Sequence, residues 1–279
     1  MNKYLKYIII TLIIILVILG LCLFITKYNK MEETDLQIYC FKTGKADACL
    51  VSVNGKHLMI DTGEEDFFPE IVQYFDANGI KELDYLIITH FDKDHVGSAA
   101  KIIENYKVYN VLESNYKKES DKYNNYVAAL SSKKIEPIVV LDDYEFNLDG
   151  LEVVVNGTKT LFDNNESNNS SLITSLSYGS RKFLFMGDAQ NARIKEFLKN
   201  NKGKYDFIKM PYHGKYMKRI DDLLDAIKPR YALITSSEKE MEDSETINML
   251  KNFGISCYLT REGSVLIKSN GIKIIVEQS

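Results

Sequence analysis

Residues 84–97 read Asp84-Tyr-Leu-Ile-Ile-Thr-His-Phe-Asp-Lys-Asp-His-Val-Gly97, an apolar run that stops abruptly in two histidines and two aspartates. The run is apolar on both faces, the mark of a central strand covered by other layers on each side. Within six residues His90, Asp92, Asp94 and His95 then offer two imidazoles and two carboxylates. A divalent cation needs several N and O donors converging on one point, and a rigid strand end fixes their directions. An N-cap for the helix expected near Val96 needs one such side chain, not four. The segment therefore predicts a buried strand ending in a metal site.

Working outward, short β-type runs alternate with amphipathic stretches, without an internal repeat. Leu36–Phe41, Ala48–Val53 and His57–Ile60 read as strands, the last two joined by the hairpin signal Asn54-Gly55. A helix is expected over about 67–77, stopping at Asn78-Gly79. In the second half, strands are expected near 135–141, 151–155, 172–178 and 182–186. Beyond them come a helix over 191–198, strand Tyr205–Met210, a helix over 220–227, strand Tyr231–Thr235, a helix over 242–252 and a terminal hairpin. This order defines one α/β domain. Phe162–Ser171, rich in Asn and Ser, reads as a loop long enough to belong to an active site.

Two more strands end in ligand-type residues. Lys182–Met186 runs into G-D-A with Asp188, and Asp206–Met210 into P-Y-H-G with His213. Three apolar strands each ending in such a residue form a pattern that none carries alone. The same loops make Asn169, Ser171, Tyr212 and Lys215 candidates for contacting substrate. Asp61, in D-T-G, lacks the second carboxylate that an aspartic protease requires. His57 has no carboxylate neighbour in sequence and reads as an ordinary edge residue. GxxxxGK[ST], GxGxxG and GxSxG patterns are absent.

The N-terminus is of another kind. Ile8–Ile25 holds eighteen residues with no charge and Thr11 as its one polar side chain, about what a bilayer core requires, so residues 8–26 are expected to be a transmembrane helix contacting lipid. A cleaved signal would have a shorter apolar region and a small-x-small site. Residues 1–30 are thus read as an anchor and 31–279 as the working domain, a single-pass protein of the cell membrane with the domain outside. The 279-residue chain carries a net charge of -4, and without the anchor it has 31 basic against 39 acidic residues. No strongly basic nucleic-acid-binding surface is expected. Three cysteines remain beyond the anchor and no CxxC. Cys40 and Cys49, in apolar strand-like runs, read as buried thiols, with a disulfide as the alternative.

The ordered motifs D-T-G (61 to 63), T-H-F-D-K-D-H-V-G (89 to 97), G-D-A (187 to 189) and P-Y-H-G (211 to 214) together resemble the metallo-β-lactamase superfamily. In particular they resemble the branch related to the extracellular hydrolase domain of ComEC-type competence DNA-uptake channels. I-Y-C-F-K-T-G-K-A-D-A (38 to 48), N-N-S-S-L (168 to 172) and T-R-E-G (260 to 263) extend the likeness over about 36–276. The resemblance implies an αββα four-layer sandwich. It makes His90 and Asp92 ligands of a first ion, Asp94, His95 and His213 ligands of a second, and Asp188 a bridge between the two. One or two divalent ions, Zn2+ or Mn2+, are then the expected cofactors. The sequence departs from the two-metal pattern in having Asp at 92 and no histidine before Asp188, which hardens the first site toward Mn2+. A third departure is Tyr212, where that branch resembles Pro-His-His-Gly.

The expected activity is hydrolysis of a phosphodiester, single-stranded DNA being what the resemblance implies, by a water that the metal acidifies while Asp94 and Asp188 orient it. A carbonyl substrate (lactone, lactam or thioester) and a catalytically weak binding module are the competing readings.

Overall fold

A computed structural model describes residues 3–30, 36–160, 167–201 and 203–279. In chain order the elements are α1 (Lys3–Lys30), β1 (Leu36–Cys40), β2 (Cys49–Val53), β3 (Lys56–Ile60), α2 (Phe68–Ala77), β4 (Glu82–Ile88), α3 (Lys93–Val96) and α4 (Ala99–Asn105). There follow β5 (Lys107–Ser114), α5 (Asp121–Lys133), β6 (Ile138–Val140), β7 (Asp143–Leu148), β8 (Leu151–Asn156), β9 (Ile173–Tyr178) and β10 (Arg181–Phe185). The last are α6 (Asn191–Asn200), β11 (Phe207–Lys209), α7 (Ile220–Ile227), β12 (Tyr231–Ile234), α8 (Ser244–Asn252), β13 (Ser256–Leu259), β14 (Val265–Ser269) and β15 (Ile274–Gln278).

The strands form two sheets, ordered β15-β14-β1-β2-β3-β4-β5-β6 and β13-β12-β11-β10-β9-β8-β7. Alternation along the strands builds three apolar layers. Val51, Ile87, Phe185 and Leu233 fill the space between the sheets. Their neighbours Leu50, Leu86 and Ile88 face the other way, onto Ile71 and Phe75 of α2, Ile102 of α4 and Tyr126 of α5. On the far side Leu184, Ile208 and Ala232 pack on Ile194 of α6, Leu223 and Leu224 of α7 and Leu250 of α8. The result is an αββα sandwich, and it explains why the central strands are apolar on both faces.

Parallel pairing runs from β3 through β4 and β5 to the edge strand β6 in one sheet, and from β10 through β11 and β12 to the edge strand β13 in the other. Several carboxyl ends of these strands therefore open at one edge, where α/β sheets place their sites. Loop 61–64 packs directly on α3 there. A Cβ at Gly97 would lie 2.4 Å from the Lys93 carbonyl oxygen and 2.6 Å from that of Gly63, so only glycine fits.

Some expectations change. Cys40 and Cys49 form a disulfide, because the antiparallel register of β1 and β2 sets them directly opposite one another. His57 is not at an edge: β3 pairs on both sides, and His57 Nδ1 lies 2.9 Å from the Ser52 hydroxyl. The sequence reading passed over β5, α5 and β7, whose polar faces are the exposed sides of outer elements. Of the expected loop Phe162–Ser171, residues 162–166 lie outside the described residues, and Ser167–Ser170 form one 3-10 turn. Among the described residues no helix is long and apolar enough to cross a membrane. Of α1, side chains are described for Tyr4, Tyr7 and residues 9–21 alone, so part of the expected span 8–26 lies outside them.

Candidate metal centre

The end of β4 delivers His90, and the turn into α3 delivers Asp92, Asp94 and His95. Asp188 follows β10 and His213 follows β11. The structure brings one donor atom from each of Asp94, His95, Asp188 and His213 to within 4.8 Å of one another, all but Asp94 fully buried. His213 Nε2 is 3.1 Å from Asp188 Oδ2 and 3.3 Å from Asp94 Oδ2, and His95 Nε2 is 3.4 Å from Asp188 Oδ1. These contacts are close but misaligned, since His95 Nε2, His213 Nε2 and Asp188 Oδ1 are buried with no hydrogen-bond partner. Orphaned buried groups of this kind are costly unless a ligand completes them. A four-donor set of two imidazoles and two carboxylates fits a divalent cation.

Each imidazole is held by its other nitrogen. His95 Nδ1 donates to Asp61 Oδ2 at 2.8 Å, and Asp61 is itself fixed by the Thr89 hydroxyl at 2.7 Å and the Thr89 amide at 2.8 Å. His213 Nδ1 meets the Thr235 hydroxyl at 2.9 Å, and that hydroxyl donates to Asp47 Oδ1 at 2.6 Å. Asp47 also pairs with the ammonium of Lys209, a lysine 2% exposed that donates to the Gly187 carbonyl oxygen at 3.2 Å. Fixing Nδ1 selects the tautomer and turns Nε2 into the centre, as metal-bound histidines require. A second trio, Asp47, Asp61 and His95, is equally compact, but its atoms are the ones engaged in this support.

The backbone is bent to serve this arrangement. Asp61, Tyr212 and His213 adopt φ of 55°, 49° and 50°, left-handed conformations that cost a non-glycine residue about 1–3 kcal/mol each and collect at functional sites.

Electrostatics follow from the crowding. Burial would raise the Asp188 carboxyl, but His213 and His95 outweigh it and hold it well below the usual carboxylate range. Burial would lower His95, yet Asp188, Asp61 and Asp47 hold its imidazole well above its ordinary value, and His213 is raised in the same way by Asp188 and Asp94. His90 goes the other way: burial, with His95 adding to it, pushes it down.

The remaining expected residues take different places. His90 is fully buried with Nε2 unpartnered, and its Nδ1 sits 3.1 Å from the Thr89 hydroxyl. Asp92 belongs to neither compact group; Oδ2 is 4.0 Å from His90 Nε2 and Oδ1 accepts from Lys118 Nζ at 2.5 Å. Ser171 lies behind the ligands, 3.4 Å from His90 Nδ1 and accepting the Asp188 amide at 3.1 Å, so it positions them. Asn169 is buried and accepts the Arg193 amide at 3.3 Å; its neighbour Asn168 lines the cavity instead. Lys215 turns to Asp243, 3.0 Å away, and to the Met241 carbonyl oxygen, leaving Tyr212 as the one of these four that lines the cavity.

That cavity, about 610 Å³, opens over the carboxylates Asp94 and Asp188, with Lys45, Lys93, Lys118 and Lys122 around it. Each lysine has an acidic neighbour: Glu240 at 3.8 Å from Lys45, Glu64 at 3.2 Å from Lys93, Asp92 for Lys118 and Glu65 for Lys122. Sequence reasoning missed Asp47, Asp61, Thr235, Lys118 and Lys209 as site residues. Asp61 and Asp47 carried a signal in D-T-G and K-A-D-A; the lysines and Thr235 carried none. It also missed Arg193, fully buried, whose guanidinium binds the carbonyl oxygens of Ser171, Asn156 and Gly157 and so fixes the loop holding Ser171.

Comparison with known proteins agrees with this geometry. The sequence profile of the Metallo-beta-lactamase superfamily matches residues 43–236, and the chain belongs to that superfamily. It is homologous, weakly, to ComEC-type competence proteins. Recombination protein 2 of Haemophilus influenzae is 24% identical over 224 residues, 78% of this chain and 26% of that protein. ComE operon protein 3 of Bacillus subtilis is 24% identical over 176 residues, 60% of this chain and 22% of that protein. The chain thus spans about a quarter of these curated relatives' length. Among solved structures the fold is similar to the metallo-beta-lactamase fold protein YhfI of Bacillus subtilis, with a TM-score of 0.56 at 10% identity, covering 87% of this chain and 100% of that one. It is also similar to Igni18, a metallo hydrolase of Ignicoccus hospitalis, with a TM-score of 0.52 at 16% identity, covering 88% and 99%.

Proposed function

We propose that this chain is a membrane-anchored, metal-dependent hydrolase of phosphodiesters, with single-stranded nucleic acid as the substrate class. The observation that carries the reading is a buried set of unpartnered donor atoms at the floor of a lysine-edged cavity. A divalent ion held there by Asp94, His95, Asp188 and His213, Zn2+ or Mn2+, would supply Lewis acidity and an acidified water. The chain's own part is positional. Asp61 and Thr235 hold the two imidazoles, and Asp94 and Asp188 present carboxylate oxygens that accept hydrogen bonds from the attacking water. With an ion offsetting Asp94 and Asp188, the four lysines outweigh Asp92 and Asp121 in the cavity lining, which favours an anionic substrate over a neutral lactone or lactam. Tyr212 offers a hydroxyl to a substrate oxygen. The names of the curated relatives, one for recombination and one for the ComE operon, support a nucleic-acid setting. The apolar run Ile8–Ile25 supports the anchor over 8–26, with the domain outside the cell.

The test is turnover of bis(p-nitrophenyl) phosphate and of labelled single-stranded DNA by the full chain in detergent, stripped of metal and reloaded with Mn2+ or Zn2+. Asp94→Ala is the control. Metal-dependent cleavage that Asp94→Ala abolishes supports the reading; turnover of a lactone or thioester alone would replace it with the carbonyl one. Recovery in the supernatant after alkaline washing of membranes would remove the anchor, and protection from protease added to intact cells would reverse its orientation.

A further inference from the structure

The metal positions that the fold family implies are two, yet the residues present build one of them. At the other, His90 and Asp92 stand 4.0 Å apart, and no third ligand joins them among the described residues able to group around an ion. Ser171, which follows the stretch where a histidine would stand, meets the back of the His90 ring at Nδ1 and not the side facing the cavity. One oxygen of Asp92 is already engaged, and the other, Oδ2, is the one that faces the unpartnered His90 Nε2. Asp92 Oδ1 accepts from both the Lys118 ammonium and the Ser167 hydroxyl. Lys118 lies in the segment between β5 and α5, and its side chain is 34% exposed, so its charge sits where the cavity opens.

We propose that Lys118 replaces the first metal ion: the centre holds a single cation, on Asp94, His95, Asp188 and His213, and the second positive charge over the cavity is the Lys118 ammonium. A fixed ammonium 2.5 Å from Asp92 does two things that an ion would do there. It neutralises the carboxylate, and it leaves donors free to meet a non-bridging oxygen of an anionic substrate. It cannot acidify water, so water activation is left to the deep position alone. The proposal rests on the reading of the deep cluster as a metal site.

The experiment counts ions. The full chain in detergent is stripped, titrated with Mn2+ by calorimetry, and its metal content measured after gel filtration. One ion per chain is expected, still one in Asp92→Asn and in Lys118→Gln, and none in Asp188→Asn. Two ions in the wild type, falling to one in Asp92→Asn, would overturn the single-ion proposal and leave the metal centre standing. No bound ion in the wild type would overturn both. In the loaded protein Lys118→Gln should raise KM for a phosphodiester about tenfold with little change in kcat, the size of a lost charge-assisted hydrogen bond. An unchanged KM would remove Lys118 from substrate contact and overturn its half of the proposal.

Discussion

The centre has a deep half and an open half. In the deep half every donor is braced from behind: His95 by Asp61, Asp61 by Thr89, His213 by Thr235, Thr235 by Asp47 and Asp47 by the buried Lys209. The braces come from the turn before β2 and from the ends of β3, β4, β11 and β12, so both sheets contribute. In the open half Asp92 is braced by Lys118 and Ser167, and both contacts are partly solvated. Enclosure therefore separates the halves. Buried carboxylates and imidazoles without a counter-ion pay a large desolvation penalty, whereas a quarter-exposed Asp92 paired with an ammonium is already close to neutral. The deep half comes to rest with either a cation or protons on its imidazoles between the carboxylates, and the open half needs neither.

The comparison can be broken most directly at His213. His213→Ala removes a deep donor, so metal is expected to be lost on dialysis and turnover to fall about a thousandfold, the several kcal/mol that a catalytic ion supplies. Metal content and rate unchanged within error would show that the deep half is not the binding site. Next in size is the bracing. Asp61→Asn leaves every ligand in place but weakens the hold on His95, and metal affinity should drop about 10- to 100-fold in a chelator competition. An unaltered affinity would mean that the ring needs no orienting partner.

Protonation gives a third handle, because the metal-free deep half holds protons in place of an ion. His95 and His213 have raised values, so the stability they contribute is fully present below their ordinary value of 6.5 and is lost as pH rises through the raised ones. Asp188 and Asp94 are lowered from 3.8, so their contribution is present above that value and is lost as pH falls through the lowered ones. His90, lowered, works against His95 and His213 below 6.5 but is one imidazole against two, so the melting temperature of stripped protein should decline as pH rises above about 6.5, while loaded protein keeps its stability at pH 8 because the ion replaces the protons. Parallel melting curves for stripped and loaded protein across pH 6–9 would contradict this. The smallest effect belongs to the open half. Ser167→Ala removes one partly solvated hydrogen bond to Asp92, and metal affinity should stay within about threefold. A larger loss would show that the two halves are coupled.

Reading the sequence reaches the deep ligands for a plain reason. Asp94, His95, Asp188 and His213 follow apolar strands, as does His90 outside that set, and a polar residue placed where such a strand ends is conspicuous locally. Asp61 was visible in D-T-G, as a discarded protease carboxylate and as one of the ordered family motifs, but neither reading gave it a role in the site, because its partner His95 lies 34 positions away. Lys118, Lys209 and Thr235 are ordinary residues in ordinary contexts; Thr235 meets Asp47 across 188 positions. The disulfide was undecidable for the same reason, since two cysteines nine apart read alike as thiols until the β1–β2 register sets them opposite.

What the sequence determined by itself is therefore whatever depends on periodicity and on residues adjacent in the chain: the alternation of strands and helices, the apolar N-terminal run and the strand ends that carry histidine and aspartate. Tertiary structure alone decided which of those ligands share a point in space, that Asn169 and Lys215 turn away from the cavity, and that an ammonium occupies Asp92. The reason is that a donor's role is fixed by what faces it across a few ångströms, and in a two-sheet fold those neighbours come from strands far apart in the chain.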